Sequence, residues 1–377
     1  MPSTLMLLTN PYRPDPRVLR EARALVRHGT NVQLVAWDRE GSLPGRREEE
    51  GVDVTRLGPR CTFRSAGKVI SRLPRFWFRA LKVSRKMRFD IVHCHDFDTL
   101  PLGMLISKLR CRPLLYDSHE LYSAMIQKDV GGLARLVWVF EKAFSRRADE
   151  IVTVNESLAE KLSAGRREAA RVVTNSPDTG VLDGADAMQT RDKYGLRGFV
   201  ISYLGSLEPG RFVEELVSSV EPSGNVSLVI GGNGTLLPVV ERASKFNPAV
   251  KLRGALSPDE ALKITWASDL VIAMLDPANP NYRVSTPVKI LDAMACGRPF
   301  ITSQGLDIAK RVAEVGCGFV IPYDKEAFME TLRRAQEAPK LLLEMGRKGK
   351  EYYDKELSWE KSQKELFKAY KALVSDF

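Results

Sequence analysis

The chain has 377 residues, too many for one ordinary domain and comfortable for two α/β domains. With 44% hydrophobic and 28% charged residues, its composition is that of a globular protein and excludes a disordered one. The net charge of +10 suits solubility, an anionic membrane surface, a nucleic acid or a phosphorylated substrate, and its location must decide among them. No apolar run approaches the roughly 20 residues that span a bilayer. Leu5–Leu8 is too short for a signal-peptide core, so a cytoplasmic protein is expected. Cys61, Cys94, Cys111, Cys296 and Cys317 are scattered, with no CxxC pair, which argues against a disulfide framework or a zinc site. Reduced thiols are expected.

In the first half the predicted strands are Thr4–Leu8, Val32–Ala36, Ile91–Cys94, Pro113–Tyr116, Ile151–Val154 and Arg171–Thr174. In the second half they are Val200–Leu204, Val226–Ile230, Val250–Leu252, Leu270–Ala273, Phe300–Thr302 and Phe319–Ile321. Helical patterns lie between most of them, so parallel sheets covered by helices are expected. The polar, Gly- and Asp-rich segment Ser176–Leu196 reads as a linker. A final helix is predicted at about Trp359–Val374. The expected organisation is α/β: a Rossmann-like domain over 1–180, a second over 181–357, and a C-terminal helix over 358–377 crossing back to the first. Ligands of such sheets bind beyond the carboxyl ends of the strands, so the loops there are where chemistry is sought.

Between Arg60 and Arg88 there are ten Lys or Arg residues and no Asp or Glu. Arg64, Lys68, Arg72, Arg75, Arg79, Lys82 and Lys86 recur at helical spacing, and Phe63, Ala66, Ile70, Leu73, Trp77 and Leu81 follow the same spacing on another face. Pro74 is expected to divide the segment into two helices. A basic, aromatic-bearing amphipathic stretch suits an anionic membrane surface, with Trp77 among the contacts, while the apolar face also suits packing on the first sheet. Nucleic acid is not expected, since no known binding module is present. His93 and His95 share a strand face beside Asp96, but no third ligand is evident, and no metal is expected.

Three loops of the second half suit a phosphorylated ligand. Gly205 turns the chain after Val200–Leu204, and Arg211 follows near a helix start. Gly231-Gly232-Asn233-Gly234 follows Val226–Ile230, and its glycines permit a close approach by a backbone or a ligand. In the segment from Asn281 to Pro299, Ser285 or Thr286 is an expected N-cap and Pro287 an expected first helical residue. Lys289 then lies in the first turn, and helix dipole, free N–H groups and lysine together form a diphosphate site. Asp292 can accept from a ribose diol. Without a ligand, the same segment is an ordinary capped helix.

The stretch STPVKILDAMACGRPFI resembles the nucleotide-sugar helix of family 4 glycosyltransferases, a retaining family with the GT-B fold. Upstream, GSLEPGR resembles the family's phosphate loop, IGGNG its Gly-rich turn, and LRG and ASDLVIAM the following strands; the likeness spans nearly the whole chain. It implies two Rossmann-like domains facing across a cleft, a nucleotide-sugar donor such as a UDP- or GDP-sugar, no cofactor and no metal. It also implies donor contacts at Gly205, Arg211, Gly232, Gly234, Arg283, Ser285, Thr286, Pro287, Val288, Lys289 and Asp292. The sequence departs from the family's E-x7-E pattern: Val284 stands at the first glutamate and Asp292 at the second, so Arg283 or backbone amides must replace the sugar contact. Arg211 replaces the usual lysine and offers a bidentate grip.

In the first half, DPRVLREA resembles a subset of the family, which implies Asp15 and Arg17 opening the first helix at the acceptor side. Asp15 either orients an acceptor hydroxyl or caps the helix; Arg17 can approach a phosphate. His119 matches the family's histidine over the donor sugar, with Glu120 beside it. The implied reaction moves a hexosyl-type sugar to an acceptor hydroxyl with retention, the acceptor being a glycan or a lipid-linked molecule at the membrane surface. The leaving diphosphate accepts the acceptor's proton, and domain closure assembles the site. A non-catalytic sugar-nucleotide or membrane adaptor and a sugar-nucleotide epimerase are the alternatives.

Overall fold

A computed structural model describes residues 1–13, 15–61, 66–126, 133–222, 224–374 and 377. The chain divides into two compact units. One is Met1–Thr174 with Glu360–Phe377; the other is Asn175–Trp359. The first contains β1 (Ser3–Leu8), α1 (Pro16–Arg27), β2 (Asn31–Trp37), β3 (Arg46–Glu49), β4 (Val52–Leu57), α2 (Ala66–Ser84), β5 (Ile91–His95), α3 (Leu100–Arg110), β6 (Leu114–Ser118), α4 (Tyr122–Met125), α5 (Leu133–Ser145), β7 (Glu150–Thr153), α6 (Glu156–Ser163) and β8 (Arg171–Val172). The second contains α7 (Ala187–Tyr194), β9 (Phe199–Leu204), α8 (Val213–Ser218), β10 (Val226–Gly231), α9 (Leu237–Phe246), β11 (Val250–Leu252), α10 (Pro258–Ala267), β12 (Leu270–Ala273), α11 (Pro280–Val284), α12 (Val288–Ala295), β13 (Phe300–Ser303), α13 (Asp307–Val315), β14 (Phe319–Ile321), α14 (Lys325–Glu337) and α15 (Pro339–Tyr352). The last helix, α16 (Trp359–Leu373), rejoins the first unit from Glu360 onward. No helix among the described residues is long and apolar enough to cross a membrane.

The first sheet runs β3-β4-β2-β1-β5-β6-β7-β8 and the second β11-β10-β9-β12-β13-β14. Every pairing is parallel except β3 with β4. Strand order reverses between β1 and β5 and again between β9 and β12, which puts the loops after these strands at the ligand-binding edge of each sheet. Buried on both faces, β1 reads as a near-continuous apolar run, Leu5 to Leu8. On one face Leu5, Leu7, Val92, Cys94 and Tyr116 pack with α2, α3 and α5. The opposite face carries Thr4, His93, His95 and Asp117 toward α1 and α16.

Four expectations need correction. Strands β3 and β4 were not predicted. β3 is RREE, with no apolar residue to announce it, and β4, VDVTRL, alternates buried and half-buried residues beside it. They are joined by a tight turn at Glu50 and Gly51, both in the left-handed region. Pro74 does not divide α2. Its ring is exposed, as is Ile70 four residues earlier, so solvent is at hand for the carbonyl that loses its donor. Trp77, expected at a membrane, is half-buried, packs on the core and donates to the Asp98 carbonyl at 2.9 Å. The buried face of α2 instead centres on Phe76, whose ring stacks on Trp37 at 5.3 Å, and on Ala80. Finally, part of the expected linker Ser176–Leu196 is the helix α7. Asp186 caps it by accepting from the Met188 and Gln189 N–H groups, and Gly195 stops it at φ 61°. These end signals outweigh the polar composition.

Helix α16 is fastened by polar contacts as well as packing. The Tyr370 hydroxyl lies 2.9 Å from His93 Nδ1 and 3.2 Å from Thr4 Oγ1, all three buried. The Thr174 and Ser362 hydroxyls meet at 2.6 Å, and the His28 ring stacks on Phe367 at 4.3 Å. Tyr370→Phe should therefore destabilise the first unit by about 1–3 kcal/mol, because it leaves a buried imidazole nitrogen unsatisfied. Urea unfolding followed by the first unit's tryptophans checks this; an unchanged midpoint would show that the hydroxyl contributes nothing.

Candidate functional site

In the second unit, two loops at the carboxyl edge are laced together. Gly205 N–H donates to the Gly231 carbonyl at 2.8 Å, and Leu207 N–H to the Asn233 carbonyl at 2.9 Å. Gly232 sits at φ 142°, and a Cβ on it would fall 1.8 Å from the Gly205 carbonyl oxygen. Gly232 and Gly234 thus serve the approach of one backbone to another. Gly205 has a different duty: a Cβ there would meet the Lys289 ammonium at 3.0 Å, so its missing side chain makes room for that cation.

Lys289 is 8% exposed, and its Nζ lies 4.1 Å from the centroid of the Tyr203 ring. Burial, together with the nearby Arg211, pushes its pKa down to about 7. Arg211 stacks its guanidinium 5.0 Å from the Tyr282 ring centroid, and its buried Nε has no hydrogen-bond partner. Among the described residues neither cation is in an ion pair, and Asp292 raises the Lys289 pKa only as its weakest cause. Two neighbouring cations that share no ion pair suit an anion. The start of α12 adds to it. Its cap is Pro287, with no side chain closing the first turn, so its N–H dipoles remain directed outward.

That cap is a further correction. Ser285, expected as N-cap with Pro287 inside the helix, donates instead to the Tyr282 carbonyl at 3.1 Å and closes the short helix α11. Thr286 is half-buried, whereas Arg283 and Val288 are exposed. Asp292 is half-buried, one turn beyond Lys289. Tyr282 and Tyr203 were missed. Both flank the motif or a strand end, and an aromatic beside each cation was the available signal.

In the first unit the candidate residues form one buried network. Register pairs His95 with Asp117 across β5 and β6. Arg17 is 6% exposed, and its Nε and Nη2 grip Asp117 at 3.0 and 2.6 Å. Its Nη1 donates to the Val173 carbonyl at 2.6 Å, and its Nε is 3.1 Å from Glu21. Arg17 was expected at an acceptor phosphate; its fork is instead committed to Asp117, which makes it scaffold rather than ligand contact. Asp15 caps α1, accepting from the Val18 N–H at 3.1 Å, while its other oxygen accepts from Asn10 at 2.7 Å. Glu120 is exposed beside the site.

The sequence offered no third ligand for His93 and His95, but the fold supplies Glu21 and Asp117. One ligand atom from each of the four lies within 4.8 Å of the others. The set suits a metal poorly, because the Arg17 guanidinium already rests against both carboxylates and would repel a cation. Burial and the neighbouring His95 hold His93 neutral, and burial raises Glu21 to about 8.

His119 lies at the rim of this network. Its Nε2 is 2.9 Å from Asp117 and its Nδ1 3.3 Å from Asp96, and its backbone N–H donates to Asp96 at 3.1 Å. Asp96 turns at φ 63° to meet it. Burial opposes the charged ring, but the two carboxylates outweigh burial and raise its pKa to about 10. The geometry is therefore that of an imidazolium with both N–H groups donating.

Known proteins bear on these two constellations. The family described as glycosyl transferase 4-like domain matches residues 14–178, and the family described as glycosyl transferases group 1 matches residues 198–337. An uncharacterized glycosyltransferase of Methanocaldococcus jannaschii is 24% identical over 312 residues, 75% of this chain and 74% of that protein. Among solved structures, sucrose-phosphate synthase from Thermosynechococcus elongatus superposes with a TM-score of 0.78 at 18% identity, over 100% of both chains. HepE from Anabaena, in complex with UDP-glucose, superposes with a TM-score of 0.72 at 16% identity, over 98% of this chain and 100% of that one. The chain thus carries a glycosyl transferase 4-like domain followed by a glycosyl transferases group 1 domain, and it has the GT-B fold.

His119 should keep both ring protons throughout the neutral range. Its contribution to stability is complete below the usual histidine pKa of about 6.5 and is lost as pH rises through about 10. Ring nitrogen chemical shifts between pH 6 and 8 check the protonation; a midpoint near 6.5 would refute the double-carboxylate clamp. Asp96→Asn should lower the midpoint.

Proposed function

We propose that this glycosyltransferase moves a hexosyl-type sugar from a nucleoside diphosphate to an acceptor hydroxyl, with retention of configuration. One observation carries the reading: Lys289 and Arg211 converge beside Gly205 and the open first turn of α12, and among the described residues neither is in an ion pair. A diphosphate completes that arrangement. HepE, with this fold, is solved with UDP-glucose, which supports a nucleotide-sugar such as a UDP- or GDP-sugar as donor substrate.

In this reading the bond from the anomeric carbon to the diphosphate oxygen breaks, and a bond to the acceptor oxygen forms on the same face. The acceptor's proton passes to the departing diphosphate. Lys289, Arg211 and the N–H groups of α12 stabilise the charge that develops there, so the reaction needs neither a metal nor a resident cofactor. Asp292 holds the ribose, with Arg283, Ser285, Thr286 and Val288 bordering the donor. His119 and Asp15 are the polar groups of the acceptor unit, with His119 acting as a cation. The acceptor is a glycan or a lipid-linked molecule at an anionic membrane surface on the cytoplasmic side. The basic residues of α2, which carries no acidic side chain, support this. Val284, where the family pattern has a glutamate, favours a second reading, an adaptor that binds the donor without turnover.

Binding of UDP or GDP should draw a proton onto Lys289, since a diphosphate favours the ammonium. Affinity should then fall as pH rises above about 7, approaching tenfold per pH unit. Calorimetry in buffers of different ionisation enthalpy reads the proton uptake directly. Lys289→Met should remove the pH dependence, and Arg211→Ala should weaken binding about tenfold or more. Binding indifferent to both substitutions would refute the donor site. Binding without sugar release from any donor would favour the adaptor.

A further inference from the structure

In the first unit the exposed large apolar side chains are not scattered. Apart from Met1 at the terminus, those among the described residues all lie on α2, α3, α4 and α5. Helix α3 packs against both α2 and α5, and the three cover the same side of the sheet. Helix α2 exposes Ile70 at 50% and Phe78 at 70%. Leu105 and Leu109 do the same on α3, and Leu136, Val139 and Phe140 on α5, each close to half exposed. Met125 of α4, which packs on α5, adds to the patch. Helices α1, α6 and α16, by contrast, expose no large apolar side chain among the described residues.

The charge on the three helices has one sign. Neither α2 nor α3 contains an acidic residue. The one acid in α5, Glu141, is fully buried and accepts from the Tyr116 hydroxyl at 3.0 Å. Arg75, Arg79 and Lys82 on α2, Lys108 on α3 and Arg135 on α5 are exposed. Arg64 lies outside the described residues, as does the Lys68 side chain; Arg72 is half-buried.

We infer that α2, α3 and α5 together form a face that docks on an anionic lipid bilayer, with the apolar side chains of all three helices entering the interface and the surrounding cations meeting lipid headgroups. The inference rests on the membrane-surface reading above and deepens it from the basic helix α2 to a three-helix face. A protein partner of matching shape would need to be both apolar and acidic. A bilayer containing anionic lipid has both properties at once, and the separate roles of apolar and cationic groups follow from that.

The test is co-sedimentation of the full chain with vesicles of phosphatidylcholine alone or mixed with phosphatidylglycerol. Binding is expected only to the mixed vesicles, weakening as salt rises. Arg75→Glu with Arg79→Glu, on α2, and Val139→Ser with Phe140→Ser, on α5, should each lower the partition coefficient about tenfold or more. Both pairs contain exposed residues of the first unit, which includes none of the donor-site residues, so nucleotide binding in the second unit should be unchanged. In addition, Phe140→Trp should show blue-shifted emission with mixed vesicles and none with neutral ones, a readout that does not need the serine pair to fold. Loss in the α2 variant but not in the α5 variant, with no shift in the tryptophan reporter, would overturn the three-helix face and leave the α2 reading intact. No binding to mixed vesicles by the unmodified chain would overturn both. Self-association without lipid that the α5 substitutions abolish would assign the face to a second copy instead.

Discussion

The buried grip of Arg17 on Asp117 is the constraint around which the first unit is arranged. It joins the first helix to the middle of the sheet, and through the Val173 carbonyl it also holds the segment after β8, close to the point where the chain leaves the unit. Such a pair adds little net stability against a well-packed apolar substitute, because two charges lose their water. Breaking it is another matter. Removing either partner strands a charge among residues that are fully buried. The pair therefore fixes an arrangement more than it contributes energy. Asp117, with its charge held by Arg17, is able to hold His95 and His119 in turn.

The two units treat charge in opposite ways. In the first, every strong cation near the candidate site has an anion: Arg17 has Asp117 and Glu21, and His119 has Asp117 and Asp96. In the second, Lys289 and Arg211 are held by the faces of aromatic rings. A ring face positions a cation without neutralising it, and a buried lysine so placed loses much of its affinity for a proton. In the proposed reading, this is a cost that a bound diphosphate would remove. This asymmetry is more informative than any single motif, since a saturated network needs no ligand and an unsaturated one does.

Much of this was legible in the sequence, and what was not has physical reasons. The buried parallel strands stand out because burial on both faces makes them continuous apolar runs, as in Leu5–Leu8 or Leu270–Ala273. Strand β3 is invisible by the same logic, since RREE at a sheet edge buries nothing apolar. Pro74 misled because α2 runs on through it with the proline ring exposed, so an internal proline did not mark a helix boundary. Lys289 and Arg211 were readable from spacing and chemistry. The environment that gives them meaning was not: Tyr203 and Tyr282 come from a strand and a short helix that only the fold brings together. Arg17 shows the reverse case, in which residue type suggested a ligand and burial assigned a scaffold role.

The position of α16 also constrains how the first unit can form. Tyr370 supplies the hydroxyl that meets His93, a fully buried group 277 residues earlier in the chain, and Thr4, 366 residues earlier. Until the last helix arrives, the α1 face of the sheet is only partly covered and His93 lacks the Tyr370 partner for Nδ1. Contacts of such separation carry a high loop-closure cost that is repaid only late in folding. The second unit has no such debt, because its strands and helices are contiguous from Asn175 to Trp359. It can complete its core, with Lys289 and Arg211 in place, while the first unit still waits for its final helix. Because the same helix supplies the partner of His93 and closes the first unit, the histidine network and the integrity of that unit are coupled. A change at Tyr370 should be felt at His95 and Asp117 before it is felt anywhere in the second unit.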